Sequence, residues 1–251
     1  MLDAALLFAA GLVGGMLNAV AGGGTFITFP ALVFTGIPPV VANATATVAA
    51  LPGYLSSAIA FRHDIRRIDA APLGRLTVWT MIGGALGSGL LLVSSNAAFS
   101  ALVPFLLLAA TLVFTFGTEV RRLASRWQSV VRPFGLGILL PVAVYGGYFN
   151  GGLGIVLLAM CAMWGMNDLH QMNGLKCWLS FALSLVAFAV FAAGGAVAWW
   201  PCAIMAAGTI AGGYAGAPVA RRIPRDTLRV LIAVIGFGMT AIFFWRLIQG
   251  A

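Results

Sequence analysis

The sequence predicts an all-α, polytopic membrane fold of two inverted repeats, each holding one broken helical hairpin and three spanning helices. Three observations predict it: long stretches without charge, basic residues gathered in clusters, and glycines and prolines that recur at a nearly fixed offset.

Of the 251 residues, 61% are hydrophobic and 8% charged. A soluble domain carries about 25% charged residues, so too few polar groups remain here to cover a water-facing surface. No Asp, Glu, Lys or Arg occurs in 4–61, 76–118, 133–167 or 177–220. A spanning helix needs about 20 mostly apolar residues, and each stretch can hold more than one membrane-depth segment. The net charge of +8 does not indicate nucleic acid, because the basic residues fall in short clusters between apolar spans. Cys161, Cys177 and Cys202 lie in apolar segments without metal-ligand spacing and read as small buried residues. The first twenty residues lack a basic n-region, and their apolar run exceeds a normal h-region, so they are assigned to the fold.

Six spans are clear in the pattern: 43–61, 72–93, 97–118, 172–193, 201–220 and 227–247. Two further regions are interrupted by glycine. Region 2–36 is broken at Gly22-Gly23-Gly24, and region 133–165 at Asn150-Gly151-Gly152-Leu153-Gly154. Glycine runs disfavour helix and permit irregular backbone. At an offset of 129, Gly22, Gly23 and Gly36 fall on Gly151, Gly152 and Gly165, and Pro72, Gly83 and Gly87 fall on Pro201, Gly212 and Gly216. At 130, Asn43 falls on Asn173. These matches predict a duplication, 1–125 and 126–251.

Twelve of the 14 basic residues form three clusters. They are Arg62, Arg66, Arg67 and Arg75; Arg121, Arg122, Arg126 and Arg132; and Arg221, Arg222, Arg225 and Arg229. Loops 94–96 and 194–200 carry no charge. The positive-inside rule places the clusters in the cytoplasm and the bare loops outside. Region 133–165 then starts and ends inside, and region 2–36 starts and ends outside, which inverts the repeats and puts both termini in the periplasm. Each broken region is either a re-entrant hairpin or two full crossings. The second arms, 25–36 and 155–165, would be about 16–18 Å of helix against a core of about 30 Å, which favours re-entrant hairpins. Paired breaks in inverted repeats point to the binding site of a secondary transporter.

A helix beginning after a glycine break presents free N–H groups and a partial positive charge, a natural anion site. Gly22, Gly23, Gly24 and Thr25 would supply it in the first half, and Asn150, Gly151, Gly152 and Gly154 in the second. The bland alternative is that these glycines only permit close packing. Lys176 is the one lysine in the chain; a lysine inside the membrane costs about 2.5–3.5 kcal/mol on insertion scales. It either faces the anion or snorkels to the cytoplasmic surface. Asn43, Thr45 and Thr47 open one span and Asn173 opens its counterpart, as substrate ligands or as caps and interhelical hydrogen bonds. Asp168 and His170 are a candidate proton relay or a solvated loop pair. Gly83-x3-Gly87 and Gly208-x3-Gly212-x3-Gly216 read as faces for close helix approach, and Trp199 and Trp200 as interface anchors. No enzyme or nucleotide-binding motif is present, and no cofactor or metal is expected.

The run Asn18-Ala-Val-Ala-Gly-Gly-Gly-Thr-Phe-Ile-Thr-Phe-Pro-Ala-Leu, followed by Gly36-Ile-Pro-Pro and Ala42-Asn-Ala-Thr, resembles the TauE/SafE (sulfite exporter-like) family. Asn173-Gly-Leu-Lys176 is similar to the counterpart motif, and the resemblance covers essentially the whole chain. It implies a carrier of the bacterial inner membrane for sulfite, thiosulfate or small organosulfonates, with direction and coupling that vary among members. The second glycine run here is Gly-Gly-Leu-Gly and not a clean triplet, which leaves open whether both halves bind equally. The expected partners are a small anion and the lipid bilayer. A passive channel, a carrier of another organic anion and a homo-oligomeric state all stay open.

Overall fold

Twelve helices build the computed structural model, which describes residues 2–20, 22–127, 131–220 and 225–249; side chains at 19, 20, 215–220, 225–229, 231 and 232 are not described. Arg221 and Arg222 of the third basic cluster lie outside these residues, as do the side chains of Arg225 and Arg229. Among the described residues there is no strand.

The first half contains α1 (Leu2–Val20), α2 (Thr25–Phe34), α3 (Pro39–Ala60), α4 (Arg62–Ile65), α5 (Ala70–Val93), α6 (Asn96–Thr115) and α7 (Gly117–Ser125). The second contains α8 (Leu136–Tyr148), α9 (Leu153–Met163), α10 (Leu169–Ala193), α11 (Trp199–Ala220) and α12 (Arg225–Gln249). Both glycine-rich regions are broken as expected. Helix α1 is followed by a ten-residue α2, and α8 by an eleven-residue α9. The short arms end alike. Gly36 (φ +84°) and Gly165 (φ +81°) each adopt a left-handed conformation. In each, the next residue reaches back to close the helix, Ile37 N–H to Leu32 O and Met166 N–H to Cys161 O. This is the Schellman arrangement that glycine allows without steric cost.

Two boundaries differ from the sequence expectation. Asn43 and Asn173 do not open their spans; each lies a full turn inside. Pro38-Pro39 starts α3 earlier, and the Asp168 carboxylate starts α10 by accepting from His170 N–H (2.8 Å) and Gln171 N–H (3.4 Å). Span 97–118 stops at Thr115. The chain then turns into α7, whose Ala124 is buried while Arg122 and Leu123 are exposed. The break coincides with the return of charge at Glu119.

Helices α5, α6 and α10 are long and apolar enough to cross a bilayer. Helix α3 has 22 residues but is less apolar. Its Asn43, Thr45 and Thr47 are buried against other helices and do not meet lipid.

The halves interlock. Helix α1 packs on α11 of the other half, and α8 packs on α5. Helix α3 packs on α10, α6 on α12, α11 on α3 and α10 on α5. Every one of these contacts has its reciprocal when each helix is exchanged for its counterpart. Gly11 meets Gly208 and Gly15 meets Gly213, so α1 and α11 run parallel; Gly83 meets Ala143 and Gly87 meets Tyr148, so α5 and α8 also run parallel. Helices α3 and α10 run antiparallel, with Ile65 against Gly174 at one end and Thr45 against Ala198 at the other. The small-residue faces of the sequence are therefore contact seams. A side chain at Gly212 would run into the Leu12 carbonyl, whereas one at Gly89 meets nothing within 4 Å.

Gly212→Val is expected to cost more than about 3 kcal/mol through a backbone clash that rotamer changes cannot relieve, and Gly89→Val less than about 1 kcal/mol. Thermal unfolding of the two detergent-purified variants checks this difference.

Candidate functional site

The two breaks meet at their backbones. Gly22 has φ +79°, and a Cβ placed on it would lie 2.8 Å from the Gly154 Cα. Two features therefore demand glycine at position 22: a left-handed conformation and the approach of the opposing chain. Close by, a ring cluster excludes water. Phe29 packs edge-on to Phe99 and Phe149, with centroids 6.2 and 5.9 Å away, and stacks on Phe243.

The first break is partly closed, with the N–H groups of Gly23 and Thr25 left without acceptors among the described residues. Gly22 N–H donates to Leu17 O (3.0 Å), and Gly24 N–H donates to the buried Asn18 Oδ1 (2.8 Å). The open side of Gly23 faces the Phe114 and Phe26 rings. Thr25 is buried in the first turn of α2.

The second break is differently furnished. Helix α8 stops at Tyr148, Phe149 and Asn150 leave the helix, and Gly152 (φ +70°) turns the chain into α9. The Tyr145 hydroxyl donates to the Gly151 carbonyl. Carbonyl and N–H of a trans peptide point in opposite directions, so this bond aims the Gly152 N–H away from Tyr145. The N–H groups of Gly151, Gly152 and Gly154 have no acceptor among the described residues. Asn150 is 1% exposed, and neither end of its amide makes a hydrogen bond. The Tyr54 hydroxyl lies beside it without closing a bond of ordinary geometry. Asn43 reaches across from α3, donating from Nδ2 to Tyr148 O (2.9 Å), while its Oδ1 has no partner. These are the only carboxamides with a fully buried and unpaired atom among the described residues. A buried polar group without a partner costs about 1–3 kcal/mol, so two at one break single it out.

The remaining sequence candidates lie apart from this point. Thr45 Oγ1 accepts from Ala198 N–H (3.0 Å) and so ties α3 to the loop before α11. Thr47 donates to the Asn43 carbonyl. Lys176 is 3% exposed, and its Nζ donates to Asn173 Oδ1 (3.1 Å). Asn173 in turn donates to Leu169 O on its own helix. Among the described residues Lys176 has no carboxylate within ion-pair distance. Its ammonium is in electrostatic reach of Cys161 on α9 and of Cys177. It is thus a buried cation beside α9, the helix that follows the second break. Asp168 and His170 are exposed, and Asp168 serves as the α10 cap. Tyr145 also lines an open, apolar groove of about 470 Å³ with Leu90, Leu140, Pro141, Val144 and Tyr148, a surface unsuited to an anion.

Sequence reasoning missed Asn18, Tyr54 and Tyr145. Asn18 stands in the run quoted above, six residues before the glycine it caps. Tyr54 and Tyr145 carry no signal in the pattern, since an aromatic residue in an apolar helix reads as core.

Comparison with known proteins agrees with the resemblance. The model of the family described as sulfite exporter TauE/SafE matches residues 7–243. The chain is similar to a "Probable membrane transporter protein" of Haemophilus influenzae, 32% identical over 94% of this chain and 92% of that one. It is also similar to "Probable membrane transporter protein ORF9" of a Sinorhizobium species, 26% identical over 94% and 90%. "Probable membrane transporter protein YfcA" of Escherichia coli K12 is 24% identical over 94% and 87%. No solved structure matches with significance.

Asn18→Ala is expected to destabilise the protein by about 1–3 kcal/mol, because it leaves the buried Gly24 N–H without an acceptor. His170→Ala, at an exposed position, is expected to change stability by less than about 0.5 kcal/mol. Melting curves of the two variants in the same detergent measure the contrast.

Proposed function

The chain belongs to the sulfite exporter TauE/SafE family, and on that premise we propose that it is a secondary carrier which exports a small sulfur-containing anion, sulfite or a small organosulfonate, across the bacterial inner membrane. That it is a membrane transporter follows from the family and from the helical, apolar architecture. The finer reading rests above all on the meeting of the two glycine breaks, Gly22 against Gly154. Hydrocarbon cannot satisfy irregular backbone, so such backbone belongs beside a cavity or inside protein. Broken helices that meet at the interface of two repeats are how secondary carriers place substrate near the midplane.

In this reading the repeats are 1–125 and 126–251, related by inversion. The antiparallel α3 and α10 and the reciprocal helix contacts support it. The short α2 and α9 support hairpins that enter and leave on one face, and the placement of the basic clusters supports periplasmic termini. The breaks supply N–H donors and helix dipoles. Lys176 supplies a full positive charge in the low-dielectric interior, offsetting the cost of bringing an anion there.

Proteoliposomes loaded with labelled sulfite or sulfonates are expected to show saturable efflux; flux equal to that of empty liposomes for every anion tried sinks the proposal, and non-saturating flux marks a channel. Lys176→Ala is expected to lower transport at least about tenfold through loss of the buried positive charge that draws the anion into the low-dielectric interior, while the protein stays monodisperse. Full-rate transport by that variant would confine Lys176 to topology.

A further inference from the structure

We propose that the two breaks divide the work: the anion is held, one per chain, by donors of the second break alone, while Asn18 occupies the first break as a built-in substitute for it. This rests on the carrier reading above and narrows its site.

The argument is a comparison of equivalent atoms. At the first break the Gly24 N–H, at the start of α2, already donates to the Asn18 carboxamide oxygen. That oxygen stands where an anion's oxygen would stand. The Gly22 N–H is used by Leu17 O and the Phe114 ring covers the open side of Gly23, which leaves only the Gly23 and Thr25 N–H groups without acceptors among the described residues. A ligand would have to displace a buried, 2.8 Å hydrogen bond and an aromatic contact to enter. At the second break no side chain takes the Asn18 role. Gly151, Gly152 and Gly154 keep their N–H groups without acceptors among the described residues, and Asn150 keeps a whole unpaired amide at 1% exposure. A helix terminus alone would not identify a site; the Asn150 amide at that terminus, 1% exposed and with its NH₂ donor unpaired, does so.

The sequence difference between the halves has the same sense. Position 18 is an asparagine within reach of its own break, whereas the counterparts at offsets 129 and 130 are Gly147 and Tyr148. Gly147 has no side chain to offer, and Tyr148 turns its hydroxyl toward Ser94 (3.4 Å). The first half then provides the wall, Gly22 against Gly154, and the second provides the ligands. Tyr145 acts as a positioning residue, since its bond to the Gly151 carbonyl sets the direction of the Gly152 N–H.

A matched pair of nearly isosteric substitutions tests this. Each of Asn18→Asp and Asn150→Asp adds a negative charge beside one break. Equilibrium binding of radiolabelled sulfite to the full chain in lipid nanodiscs reads both affinity and stoichiometry. Wild type is expected to saturate at one sulfite per chain. Asn150→Asp should weaken binding at least about tenfold through repulsion and the loss of its NH₂ donor. Asn18→Asp should keep one site with an affinity within about threefold, because its carboxylate still accepts from Gly24 and faces no bound anion. Two sulfites per wild-type chain, or an effect of Asn18→Asp equal to or greater than that of Asn150→Asp, overturns the proposal. Should Asn150→Asp fail to fold, Tyr145→Phe carries the test: at least about threefold weaker binding supports it, and unchanged binding overturns it. Wild type without any saturable sulfite binding overturns the carrier reading itself, a result distinct from binding at the wrong break.

Discussion

Hydrocarbon offers no hydrogen bonds, so backbone that leaves a helix at membrane depth has to find its partners inside the protein. The architecture follows from that constraint. Each broken region is enclosed by helices of both halves, and the two breaks shelter one another through the Gly22–Gly154 contact. The exchange of α1 onto α11 and α8 onto α5 serves the same end. It brings the helix before each break under cover of the opposite half. Small residues are required along those seams because backbones approach there more closely than any side chain permits.

Polar groups inside this protein fall into two kinds. Most are bound to a definite partner and hold helices together: Thr45 to Ala198, Thr209 to Ala49, Trp178 to Thr77, Asn18 to Gly24. A few are not, and the unpaired carboxamides converge on the second break. Structure that serves stability alone would have paired them, since leaving them unpaired is destabilising. The difference between held and unheld amides distinguishes the two breaks more sharply than glycine content does.

Much of this was legible in the residues. Charge-free stretches gave the membrane class, and the glycine runs located both interruptions. Matched glycines at 36 and 165 marked identical helix ends, because the left-handed conformation is open to glycine and costly for others. The family resemblance, carried by the run from Asn18 through Thr45 and by Asn173 to Lys176, is borne out by the family match over 7–243. Helix starts were placed too late at Asn43 and Met172, because α3 begins at Pro39 behind the Pro38 cap and α10 at Leu169 behind the Asp168 cap.

The pair Asn43 and Asn173 shows where sequence stops. The offset of 130 equates them, yet one is fully buried and bonded across to Tyr148, while the other is half-buried and bonded to Leu169 and Lys176 on its own helix. Hydrophobicity, charge placement and glycine position are local properties, so the sequence alone determined membrane insertion, the breaks and the helix ends. Asn18 and Asn173 are paired within their own segments, whereas Asn43 is paired by the Tyr148 carbonyl of the opposite half, 105 residues away. Only the tertiary structure decided that last pairing and left Asn150 open, because a hydrogen bond between distant segments is settled by a few tenths of an ångström that no local pattern encodes.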